Sequence, residues 1–131
     1  MNKNFKNLIA FMSLIMLSSC NEFQKLLRNE DVKIKYEMAE KYYENEEWRR
    51  AATLLEQIQP QYRGKPQGER ITFFYANSLL NKKNYVLAAF QFESFVKSYP
   101  ISQKVEEAAF LGAYCYYKQS PKHSLDQEET M

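Results

Sequence analysis

Apolar residues first form one block, from Leu8 to Leu17 with a single serine inside it, and then recur among polar residues at intervals. Spacings of three and four put the recurring residues on one face of a helix. They predict helices over 32–44, 48–59, 69–80 and 85–99, and a fifth that opens at a Ser102 cap and runs to about Lys118. Asp31 is placed to cap the first of these, because its side-chain oxygen can accept from the free N–H groups of an opening turn. Short polar breaks, Asn45-Glu46-Glu47 and Asn81-Lys82-Lys83-Asn84, divide the helices into pairs. Pro60, the stretch from Arg63 to Gly68, and Pro100 separate one pair from the next. With only three glycines and four prolines, the chain has little turn material for strands, so the fold class is all-α.

The pairs repeat. When Ala39 is set on Ala76, Trp48 falls on Tyr85, Ala51 on Ala88, Leu55 on Phe92 and Ile58 on Phe95. A small residue in the first helix, an aromatic opening the second, then alanine and large apolar residues resemble the tetratricopeptide (TPR) repeat, whose period is about 34 residues. Pro100 matches the proline that closes such a repeat; in the first repeat Arg63 stands there and Pro60 comes earlier. A third repeat starts near Val105 and puts Leu111-Gly112 on the signature Leu-Gly pair. The expected architecture is a TPR-like α-solenoid of antiparallel helical hairpins, about two and a half repeats, near 32–68, 69–104 and from 105 onward. Ala39, Ala76, Gly112, Ala51 and Ala88 let paired helices approach closely, while Leu55, Ile58, Phe92 and Phe95 supply the buried stripe. Asp126-Gln127-Glu128-Glu129 reads as the capping box of another helix, yet the sequence stops at Met131, which points to an incomplete protein.

The first apolar block changes the picture of where the chain works. Lys3 and Lys6 precede it, and about 20 residues rather than ten are needed to span a bilayer core. Leu17-Ser18-Ser19-Cys20 closes the block and resembles a bacterial lipobox. That resemblance implies a leader over residues 1–19, acylation of Cys20, and a lipidated tether over 20–31 with a small apolar patch at Phe23, Leu26 and Leu27. More than one acyl chain gives a stable membrane anchor. Asn21, in place of an aspartate that would retain the protein at the inner membrane, favours the outer membrane by the same resemblance.

Charge and chemistry mostly exclude. Lys3 and Lys6 lie in the leader, so 16 of the 18 basic residues remain against 16 acidic ones, and no case for nucleic acid arises. His123 is the only histidine and sits in a polar loop; no metal-ligand spacing, phosphate loop or nucleophile elbow is present. Cys115, the one thiol left after Cys20, lies on an apolar helical stretch and reads as buried and structural. The expectation is a protein without enzymatic activity, metal or cofactor beyond the lipid on Cys20.

What remains is the concave groove. The groove-facing positions of successive first helices carry Lys33, Tyr36, Glu40 and Tyr43, then Arg70, Phe73, Asn77, Leu80 and Asn81, then Tyr116. Aromatics set among amides and charges suit an extended peptide or a helix lying in a groove, although Tyr36, Phe73 and Tyr116 could equally pack against neighbouring helices. The lipobox, Tyr36-x-x-Ala39-x-x-Tyr42-Tyr43, Glu46-Glu47-Trp48-Arg49-Arg50-Ala51-Ala52 and Phe92-Glu93-Ser94-Phe95 together resemble the BamD-type TPR lipoproteins of the β-barrel assembly machinery. Ser120-Pro121-Lys122-His123-Ser124 is similar to an insertion in Bacteroidetes-type members. Such members typically have about five repeats, so by the same resemblance this sequence is truncated toward its C-terminus. The resemblance implies a scaffold on the periplasmic face of the outer membrane. The implied partners are a BamA-like barrel subunit, other assembly subunits, and unfolded outer-membrane proteins. The alternative is a TPR-containing lipoprotein that binds glycans or nutrients beside an outer-membrane transporter.

Overall fold

A computed structural model describes residues 22–120. The leader, the lipobox with Cys20, and the Asp126 capping box lie outside them. The chain divides into two compact units, 1–35 and 36–131. No helix among the described residues is long and apolar enough to cross a membrane.

In the first unit, residues 22–28 are helical (α1), where the sequence pattern predicts only a tether. Phe23, Leu26 and Leu27 are its half-buried positions, and their three-and-four spacing makes that stretch a helix face. Asp31 then opens α2 (Val32–Glu44), its Oδ1 accepting from the N–H groups of Lys33 at 2.9 Å and Ile34 at 3.3 Å. The Lys35 ammonium donates to the Leu27 carbonyl oxygen at 3.0 Å.

The second unit holds the rest of α2, then α3 (Trp48–Ile58), a 3-10 turn (Gln59–Tyr62), α4 (Pro66–Asn81), α5 (Tyr85–Ser98) and α6 (Val105–Gln119). The described residues contain no strand, and the unit is a TPR-like stack of helical hairpins. α3 packs on α4, α4 on α5, and α5 on α6. The small residues sit at the crossings: Ala39, Ala51, Ala76 and Ala88 are fully buried. A Cβ on Gly112 would meet the Phe92 Cβ at 3.4 Å, so α5 and α6 cross there with room for a methyl group at most. Leu55, Ile58, Phe92 and Phe95 form the core stripe, each no more than 1 % exposed.

The two complete hairpins turn in the same way. Glu46 and Lys83 both adopt positive φ, 59° and 64°. In the first turn the N–H of Glu46 donates to Tyr43 and that of Glu47 to Tyr42; in the second, Lys83 donates to Leu80 and Asn84 to Leu79. This is the left-handed cap that satisfies the last carbonyls of a helix, here made without glycine.

α4 begins at Pro66, earlier than the predicted Glu69, because proline's fixed φ suits the first helical position and its missing N–H costs nothing there. Its start is held by close packing at Gly68. A Cβ on that residue would collide with the Tyr62 carbonyl oxygen and lie 2.8 Å from the Tyr99 hydroxyl. α6 begins at Val105 after a turn in which the Ser102 Oγ accepts from the Lys104 N–H at 3.0 Å and donates to Glu69. Cys115 is fully buried, and burial pushes its thiol up from the ordinary range.

Candidate peptide-binding groove

α2 and α4 carry most of the predicted groove residues, and two linked clusters of them form. In the first, the Tyr36 hydroxyl donates to Glu40 Oε1 at 2.5 Å, and the same carboxylate oxygen takes Arg70 Nε at 3.1 Å. Partial burial, followed by the bond to Glu40, pushes the Tyr36 phenol up to about 12. In the second, Asn77 Nδ2 donates to the Tyr43 hydroxyl at 2.5 Å. Tyr43 stacks on Phe74 with centroids 3.9 Å apart and planes within 5°, and meets the edge of Trp48 at 5.4 Å. Burial is the main cause that raises the Tyr43 phenol; the bond from Asn77 acts the other way.

Between these clusters and α5 lies a pocket of about 350 Å³, walled by Pro66, Glu69, Arg70, Phe73, Phe74, Phe95 and Lys104. The Arg70 guanidinium carbon sits 4.9 Å from the Phe74 ring centre and the Lys104 nitrogen 5.2 Å from that of Phe73. The pocket therefore has an aromatic floor and two cations at its edge. Each cation also meets a carboxylate: Glu40 on Arg70, and Glu107 on Lys104 at 2.7 Å. The Lys104 pair is exposed and holds its side chain weakly, whereas Glu40 is half-buried and also takes the Tyr36 hydroxyl. The Arg70 pair engages Nε and leaves the paired terminal nitrogens as the edge that can meet a carboxylate.

The remaining predicted residues lie elsewhere or play other parts. Lys33 is exposed in the first unit. Phe73 is only 6 % exposed and packs edge-on against Phe92 and Phe95, so it is a core residue that shows one edge to the pocket. Leu80 is half-buried, while Asn81 is exposed and donates back to Asn77. Tyr116 lies apart, its hydroxyl donating to Glu93 at 2.5 Å beside a pocket between α5 and α6.

Sequence reasoning missed Phe74 and Lys104. Arg70 and Phe74 are four residues apart and share a helix face, which was the signal available for the first. Lys104 falls in the opening of the predicted fifth helix, but that helix begins at Val105, and Lys104 comes into place through the Ser102 turn. Among the described residues no group of three or more His, Cys, Asp or Glu side chains could hold a metal ion.

Helical hairpins whose repeated geometry leaves an open, side-chain-lined groove define a class: the repeat scaffold that binds other proteins along its surface. Within that class, the chain belongs to the YfiO family of outer membrane lipoproteins, which matches residues 28–131 and is the BamD family that the lipobox and repeat motifs resemble. A comparison with curated proteins gave no match. As a member, the chain is a lipid-anchored outer-membrane protein with a non-enzymatic scaffolding role in outer-membrane protein assembly.

Proposed function

We propose that the groove of α2 and α4 receives extended segments of unfolded outer-membrane proteins and holds them for a BamA-like barrel subunit and other assembly subunits. In this reading, lipid on Cys20 anchors the protein, residues 20–31 form the tether, and the TPR-like domain from residue 32 works on the periplasmic side. The observation that carries it is the pocket in which Arg70 and Lys104 stand over Phe73 and Phe74. An aromatic floor takes an apolar side chain, and a guanidinium takes a terminal carboxylate through paired hydrogen bonds. Tyr43 and Leu80 extend the apolar contact along the groove. Asn81 Nδ2 is held by Asn77, which leaves its Oδ1 to accept from a peptide N–H, and Asn77 Nδ2 keeps one proton beyond its bond to Tyr43.

Capture of the full-length protein from detergent-solubilised outer membranes tests the partner assignment. It is expected to bring down a large β-barrel protein together with other assembly subunits. Recovery of a sugar transporter in their place would contradict the proposal and favour a role in nutrient binding.

A further inference from the structure

A second recess, of about 340 Å³, opens where the 3-10 turn, α4 and α5 meet, and it shares no wall residue with the groove pocket. At 100° per residue, Gly68 and Thr72 face it from the side of α4 opposite Arg70, Phe73 and Phe74. Its polar groups are ordered by a series of hydrogen bonds whose direction can be worked out. Thr72 has one hydroxyl proton and gives it to the Gly68 carbonyl oxygen at 2.8 Å. The Thr72 oxygen must then accept from Gln59 Nε2, 3.3 Å away, which fixes the orientation of that amide. The same nitrogen donates to Gln91 Oε1 at 3.1 Å.

Two groups are left over. Gln91 keeps its Nε2 and Gln59 its Oε1 without a protein partner among the described residues, one a donor and the other an acceptor, and both residues line the recess. Gln91 is only 9 % exposed and Thr72 6 %, so this is a built feature rather than a surface fringe. Both groups reach the solvent in the recess, so a ligand that meets them takes the place of water. Phe90, 62 % exposed, stands at the rim as an apolar platform, and Arg63 is the one charged residue in the wall.

We propose that this recess binds the main-chain amide of an extended polypeptide. Gln91 Nε2 donates to the carbonyl oxygen, Gln59 Oε1 accepts from the N–H, and a flanking apolar side chain lies on Phe90. A saccharide fits less well: the left-over amide donor and acceptor match a single peptide unit, whereas a sugar ring presents several hydroxyls at once. The site reads main chain and is indifferent to termini, so it stands independently of the groove, which reads a carboxylate.

The test is a titration of the isotopically labelled full-length protein with acetyl-Ala-Leu-Ala-amide. This peptide is blocked at both ends and offers Arg70 no carboxylate. Saturable shifts of the Gln59 and Gln91 side-chain amide resonances are expected. Gln91→Glu keeps the acceptor but replaces the donor, and should weaken binding about tenfold. Phe90→Ala removes an exposed side chain that the fold does not need, and should weaken it about threefold. Unmoved glutamine resonances in the wild-type protein, or Phe90→Ala binding as tightly as wild type, would overturn the proposal. So would tighter binding of the disaccharide of N-acetylglucosamine than of the peptide.

Discussion

The two hairpins built on α2–α3 and α4–α5 share their turns and their buried alanines, yet their first helices live in different surroundings. Ser78 is fully buried, whereas Lys41, its counterpart in the first repeat, is exposed. Phe73 is buried, while its counterpart Tyr36 keeps part of its surface and turns its hydroxyl to Glu40. α4 lies between α3 and α5 and is covered from both sides. The repeat therefore dictates which residues must be small or apolar to let helices cross, and a helix's place in the stack decides which of the others remain open to a partner.

The strongest way to break that equivalence is to overfill the crossings. Ala51→Leu and Ala88→Leu should each destabilise by about 1–3 kcal/mol, the usual effect of forcing extra methylenes into a packed site. Denaturant melts of the two variants are expected to fall by similar amounts; a loss at one site alone would show that the hairpins are not packed alike. Ser78→Ala sharpens the contrast between covered and open helices. The Ser78 hydroxyl is buried without a hydrogen-bond partner, so its removal should leave stability unchanged or raise it by about 1 kcal/mol. A clear drop in melting temperature would mean that the hydroxyl has a partner after all.

Smaller effects are expected at the turns. Glu46→Gly and Lys83→Gly relieve a left-handed backbone that glycine adopts freely, and each should stabilise by about 0.5–1 kcal/mol. A gain at only one of the two turns would deny that they are the same motif. Tyr36 gives a test in pH. Its folded-state pKa lies above the ordinary tyrosine value, so the stability it contributes is complete below about pH 10 and is lost as the pH rises toward 12. Glu40→Gln removes the carboxylate but leaves the burial, so tyrosinate absorbance should show the Tyr36 phenol ionising at a lower pH in that variant than in the wild-type protein after allowance for unfolding. Identical titrations would remove the Tyr36–Glu40 bond as a source of stability.

Much of this architecture was legible from spacing alone, because large apolar residues at helical intervals and alanines at crossings answer to packing rules that act locally. The bounds of α2 and the openings of α3 and α5 fall where the polar breaks predict them. The misses have physical causes. Residues 22–28 are too few and too polar to announce a helix, and Pro66 reads as a breaker until its place at a helix start is known. The groove was legible only by helix face. Burial of Phe73 follows from α5 lying over α4, and the arrival of Lys104 beside it follows from the loop turn at Ser102; neither is encoded in a periodicity.

The claim that the groove reads the end of an unfolded barrel protein is tested most directly by one binding comparison. A peptide from the last strand of an outer-membrane barrel is titrated into the full-length protein with its terminus free and, separately, amidated. The same pair is then titrated into Arg70→Met and Tyr43→Ala, with folding checked by circular dichroism. Wild type should favour the free carboxylate by more than about tenfold, as befits a charge-assisted bond. Arg70→Met should abolish that preference, and Tyr43→Ala should weaken both peptides by about thirtyfold, the loss expected for an aromatic anchor. Equal affinity of the wild-type protein for the free and amidated peptides, unchanged in both variants, would contradict the claim.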